Sequence, residues 1–104
     1  MNIEDIMQEL QDTRTKLNAA GVGDDAKIDL DILVLLVDKA LQKPTINPLR
    51  ELGGTAVADA SKLLSLCDQV DATIDDEKKR VALVEQIVGV AGRALEAAGV
   101  DNPL

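Results

Sequence analysis

Ile32-Leu33-Val34-Leu35-Leu36-Val37 is apolar at six consecutive positions, and its reading decides the fold. At 100° per residue, a helix made of this run is apolar all the way round. A buried strand would carry the same run. The surroundings separate the two: neither Gly nor Pro occurs from 24 to 43, and the apolar pattern continues on both sides beyond the length of a strand. The spacing predicts a helix over 25–43, leaving only a narrow polar strip of Lys27, Asp31, Asp38 and Gln42. Gly23-Asp24-Asp25 reads as the turn into its N-cap.

Upstream, Ile3, Ile6, Met7, Leu10 and Leu17 recur at helical spacing and predict a helix over 3–20, its stripe interrupted at Thr13 and Arg14. Gly21-Val22 suits a C′ glycine followed by an apolar C″ residue, and Lys16 lies near the negative end of the helix dipole. Downstream, Lys43-Pro44-Thr45-Ile46-Asn47-Pro48 breaks the chain into two helical halves, because each proline disfavours helical geometry in the residue before it. Asn47-Pro48 looks like an N-cap with proline at N1. Gly53-Gly54 then leaves two alternatives. Either a single turn forms over 48–52 and Thr55 caps a fresh helix, or a longer helix carries the pair at about 1 kcal/mol per glycine. The restart is the expectation, with a stripe of Val57, Ala60, Leu63, Leu64, Cys67 and Val70 running to a turn near Asp71-Ala72-Thr73.

The fourth helix opens with Asp75-Asp76-Glu77 and then Lys78-Lys79-Arg80, acids at the positive end and bases one turn later. Asp75 with Lys79 and Asp76 with Arg80 form i,i+4 pairs of about 0.2–0.5 kcal/mol each. Two stripes follow, Val81, Val84, Val88, Ala91, Leu95, Ala98 and Leu83, Ile87, Val90, Ala94, Ala97, an apolar arc of roughly 200° that a single neighbour cannot bury. Gly99-Val100 repeats the earlier stop, and Asp101-Asn102-Pro103-Leu104 is a short tail. The phrases Leu17-Asn18-Ala19-Ala20-Gly21-Val22 and Leu95-Glu96-Ala97-Ala98-Gly99-Val100 match closely, and the rest of the halves do not align. A common helix ending explains the match better than a duplicated hairpin.

Composition bounds the function. The 104 residues suit one domain over 1–104 with one core, and 46% apolar residues suffice to fold it. There is no Phe, Tyr or Trp, so the core is aliphatic, and base stacking and aromatic cages are missing. Nineteen acids against eleven bases give −8, which repels phosphate backbones and anionic membranes, so neither direct nucleic-acid binding nor membrane binding is expected. No histidine is present, which removes the commonest general base and transition-metal ligand. Cys67 is alone and lies on an apolar stripe, where a small buried thiol is ordinary. Asp24, Asp25, Asp29 and Asp31 lack the alternate spacing of a calcium loop and read as an acidic helix start. A lone cysteine and an acidic N-terminus without a signal pattern point to the cytoplasm.

The expected protein is therefore all-α, a small antiparallel bundle of about four helices that self-associates. It is expected to carry no cofactor and no catalytic site. Its expected function is interaction or assembly through aliphatic helix faces, as in a small phage or bacterial accessory protein, with another copy of itself as partner. The candidate interaction residues are Leu33, Leu36 and Val37 on the second helix and Leu83, Ile87 and Val90 on the fourth. Gly89 and Gly92 join them, because a glycine inside a helix suggests close approach by another backbone, within the chain or from a second subunit. The alternative is an acidic inhibitor or nucleic-acid mimic covering a basic surface, for which residues 1–31 supply eight acids against three bases.

Overall fold

Four helices account for most of residues 1–100, which the computed structural model describes: α1 Ile3–Ala19, α2 Asp25–Ala40, α3 Thr55–Ala72 and α4 Glu77–Ala97. There is no strand among the described residues. The tail at Asp101-Asn102-Pro103-Leu104 lies outside them.

The helix ends follow from local side chains. Asn2 and Asp5 close a capping box on α1: Asp5 N donates to Asn2 Oδ1 at 2.8 Å, and Asn2 N donates to Asp5 Oδ2 at 3.0 Å. α1 and α4 end in the same Schellman motif. Val22 N donates to Leu17 O at 3.0 Å and Gly21 N to Asn18 O at 3.0 Å; Val100 N donates to Leu95 O at 2.9 Å and Gly99 N to Glu96 O at 3.0 Å. Gly21 and Gly99 take φ of 74° and 90°, which only glycine adopts without strain. The two matching hexapeptides are thus two copies of one helix-ending device.

α2 stops at Ala40, earlier than the expected 43. The amides of Gln42 and Lys43 fold back onto Lys39 O and Ala40 O, tightening the end into turns ahead of Pro44. α3 starts at Thr55 as expected, but Thr55 is its first helical residue; Gly54, at φ 59°, holds the cap position without a side-chain hydrogen bond. No helical turn forms over 48–52. The Asn47 side chain accepts from Leu49 N at 3.1 Å and Asn47 O accepts from Arg50 N at 3.2 Å, making an isolated turn. The inward face of α3 is Ala56, Ala60, Leu63, Leu66, Cys67 and Val70, so Val57, expected inside, is 41% exposed.

α3 packs on α4, α4 on α2, α2 on α1 and α1 on α3, closing a ring. Ile6, Leu10, Leu17, Leu30, Leu33, Val37, Leu63, Ile87 and Leu95 lose essentially all solvent contact, each such side chain contributing about 1.5–3 kcal/mol. The Cα radius of gyration is 13.0 Å, close to the ~13 Å of a compact domain of 100 residues. The connection from α2 to α3 is tied to the start of α1, where Leu52 N donates to Met1 O at 2.8 Å and Glu4 N to Pro48 O at 3.0 Å.

Charged groups stitch the other end. Asp24 caps α2 through Oδ1, which accepts from Lys27 N at 3.0 Å, and its Oδ2 meets Arg80 Nη2 of α4 at 3.2 Å. Arg80 therefore reaches across to α2 instead of pairing with Asp76, and its Nη1 donates to Ile74 O at 2.8 Å. Asp76 caps α4, accepting from Lys79 N at 3.2 Å. Lys27 Nζ meets Asp31 Oδ2 at 2.6 Å, and Arg14 Nε of α1 lies 3.0 Å from Asp31 Oδ1, an ion-pair distance without the alignment of a hydrogen bond. Lys16 reaches Asp71 at 2.6 Å, joining α1 to α3.

Asp24→Ala removes a cap and strands Arg80, whose side chain is mostly buried, so it should cost about 2–3 kcal/mol in urea unfolding. Asp24→Asn keeps the cap and should cost less, while Asp25→Ala should cost only a few tenths of a kcal/mol. Equal losses for Asp24→Ala and Asp25→Ala would refute the assigned role of Asp24.

Candidate interaction surface

The eight residues singled out from the sequence divide between core and surface. Leu33, Val37, Ile87 and Val90 are buried inside the single chain, in the seams that α2 and α4 share with their neighbours, and offer nothing to a partner. Leu83 is half-buried against the same core, and Leu36 is half-buried on α2. Gly92 is buried. Gly89 is exposed, and a Cβ built there would meet only Arg93 Nη1 at 4.0 Å, so no backbone approaches it. The intrachain half of the close approach expected at Gly89 does not occur.

The side of α2 that faces water is a different one. Of the expected polar strip, Asp38 and Gln42 are exposed, but Lys27 and Asp31 do not form outer surface: Lys27 is 8% exposed, and Asp31 is occupied by Lys27 and by Arg14 of α1. Leu30, Leu33, Val34 and Val37 point into the core. With the inward arc so filled, Ile28, Ile32 and Leu35 remain outside, 47%, 40% and 67% exposed. Their i, i+4, i+7 spacing sets them in one line along the helix. Single exposed aliphatics are ordinary, but three in a row form a contiguous apolar strip.

Charge borders this strip. At 100° per residue, Asp25 and Asp29 fall on one flank, Asp31 and Asp38 on the other, and Lys39 continues the line toward the helix end. Asp25, Asp29 and Asp38 are exposed and form no ion pair among the described residues. The free border is therefore three carboxylates against the single ammonium of Lys39.

Other features of the surface are less developed. A cavity of about 350 Å³ at one end of the bundle has Ile3, Arg50, Glu51, Leu52, Ala56 and Ala97 in its lining. A shallow groove beside Gly89 carries Lys62 and Arg93 against Glu85, two cations to one carboxylate. Among the described residues no three His, Cys, Asp or Glu groups gather in a way that could hold a metal ion. No helix among them is long and apolar enough to cross a membrane. Cys67 is buried on α3, and burial pushes its thiol up from an ordinary 9.0 to about 11, with the Thr13 hydroxyl of α1 acting in the opposite direction and Glu9, Asp71 and Asp68 adding to the rise.

Compared with known protein families, curated proteins and solved structures, the chain matches none.

The Cys67 environment predicts two outcomes. Alkylation by iodoacetamide at pH 8 should be slower than for an exposed cysteine by at least about a hundredfold in thiolate content, and should become fast only in denaturant. The folded pKa lies above the unfolded one, so the thiol's contribution to stability is complete below pH 9.0 and is lost as pH rises through about 11. Unfolding free energy should fall over that window by on the order of 2 kcal/mol, and Cys67→Ala should remove that part of the slope. A pH-independent stability between 9 and 11 in the parent protein would refute the assigned environment.

Proposed function

We propose that this protein is a non-catalytic interaction module that docks a partner protein on the outer face of α2. The observation that carries the reading is the line of Ile28, Ile32 and Leu35, aliphatic side chains left in water by a helix whose Leu30, Leu33, Val34 and Val37 fill the core. The absence of histidine supports the non-catalytic part, as does the commitment of Asp24, Asp31 and Arg80 to ion pairs within the fold. An antiparallel course of successive helices belongs to the same reading. It is supported by Lys16 with Asp71 and Arg80 with Asp24 at one end, and by Leu52 with Met1 at the other.

Self-association was expected from the apolar arcs of the second and fourth helices. With Leu33, Val37, Ile87 and Val90 inside the single chain, the α2 strip offers a second copy an aliphatic surface in their place. The reading as an acidic cover for a basic surface has one observation in its favour: Glu4, Asp5, Asp12, Asp25 and Asp29 are all exposed in the N-terminal third. That reading needs charge alone; docking on α2 needs the aliphatic line as well.

A photo-crosslinking residue placed at Leu35 or Ile28 in cells that make the protein should yield discrete adducts, and one at Ser61 or Ala82, both exposed on α3 and α4, should not. Adducts arising only from the α3 and α4 positions would overturn the assignment of the surface. In parallel, Leu35→Ser should change stability by no more than about 0.5 kcal/mol, as befits a residue outside the core.

A further inference from the structure

From the charge placed around the α2 strip, and resting on the reading of that strip as a docking face, we infer that its occupant is a basic amphipathic helix of another protein. Ile28, Ile32 and Leu35 present an apolar line of the kind a second helix covers with its own i, i+3, i+4, i+7 side chains. The border selects among such helices. Asp31 is already neutralised by Lys27 and Arg14, whereas Asp25, Asp29 and Asp38 face water without a partner. Asp25 and Asp29 sit together on one flank in the first half of α2, and Lys39 stands next to Asp38 near its end. The unmet negative charge is thus concentrated toward the N-terminal half of α2, where a partner helix should carry its lysines and arginines.

A second copy of this chain fits the strip less well. It would bring a border of the same sign, three carboxylates and one ammonium, onto an identical border, and the chain as a whole carries −8. Three half-exposed aliphatic side chains also supply only a few hundred Å² of surface, below the ~800 Å² per partner of a standard stable interface. That area suits a short helical segment held by an apolar line and charge-assisted contacts. Placing cations beside carboxylates also speeds encounter and makes it depend on salt.

Two designed helical peptides with the same leucine stripe, one flanked by lysines and the other by glutamates, provide the test by fluorescence anisotropy against the whole chain. A third peptide carries the lysines with serine in place of the stripe. The lysine-flanked peptide should bind at least about tenfold more tightly than either of the others. Its affinity should fall severalfold between about 0.05 and 0.5 M salt. Leu35→Asp should weaken it by at least about tenfold with an unchanged circular dichroism melt. Asp25→Asn, Asp29→Asn and Asp38→Asn combined should erase its preference over the glutamate peptide, whereas Asp12→Asn, Asp68→Asn and Glu96→Gln, also exposed, should not.

Equal binding of the lysine and glutamate peptides would overturn the inference and leave the docking face in place. Equal binding of the lysine peptides with and without leucines would overturn both. A dimer in sedimentation that Leu35→Asp dissociates, with no peptide bound, would overturn the inference in favour of a second copy.

Discussion

The geometry of α2 sets the rest of the molecule. A helix that touches two neighbours can hide roughly half its circumference, and this one is apolar at more positions than that half contains. Two faces compete for the inward orientation. Leu30, Leu33, Val34 and Val37 occupy it; turning Ile28, Ile32 and Leu35 inward would expose those four in their place. At about 1.5–3 kcal/mol per buried aliphatic side chain, the arrangement that buries four and exposes three is favoured. The choice is reinforced at the edge, where rotation would also tear Asp31 from Arg14 of α1.

Much of this architecture is readable in the sequence because it depends on short-range chemistry. The capping signals, the prolines at 44 and 48 and the Gly-Val stops act within a few residues, and their helices lie where those residues put them. Three errors share a cause. Val57 was expected inside, Thr55 as a cap, and Arg80 beside Asp76; in each case another position competes on terms invisible locally. Arg80 has a carboxylate at i−4 and another fifty-six positions away, and only the packing of α4 on α2 brings the distant one within reach.

The candidate surface was legible as a segment and illegible as a face. The run from 32 to 37 carries an excess of apolar positions, yet Leu33 and Val37 within it are core, and the exposed line begins outside it at Ile28. The polar strip of Lys27 and Asp31 suggested an outward direction, as polar strips ordinarily do. Here Lys27 and Asp31, the first half of that strip, lie at a helix seam because each finds an opposite charge there. Arg14 in the middle of the interrupted α1 stripe was the available signal: a base among apolar residues needs a carboxylate from another helix, and Asp31 supplies it.

Neutralisation at the seam also decides where the protein's charge is felt. A carboxylate engaged by two cations projects little field, so Asp31 contributes little beyond its own contacts. Asp25, Asp29 and Asp38 keep theirs, and they keep it beside the aliphatic line that α2 leaves uncovered. An apolar strip bounded by unpaired like charge is held away from its own copies by the same groups that attract a cationic helix. Hydrophobic contact alone would favour any apolar surface that came near, including a second copy of this chain. The carboxylates restrict that choice by raising the free energy of the like-charged complex, so discrimination comes from the border and adhesion from the line it encloses.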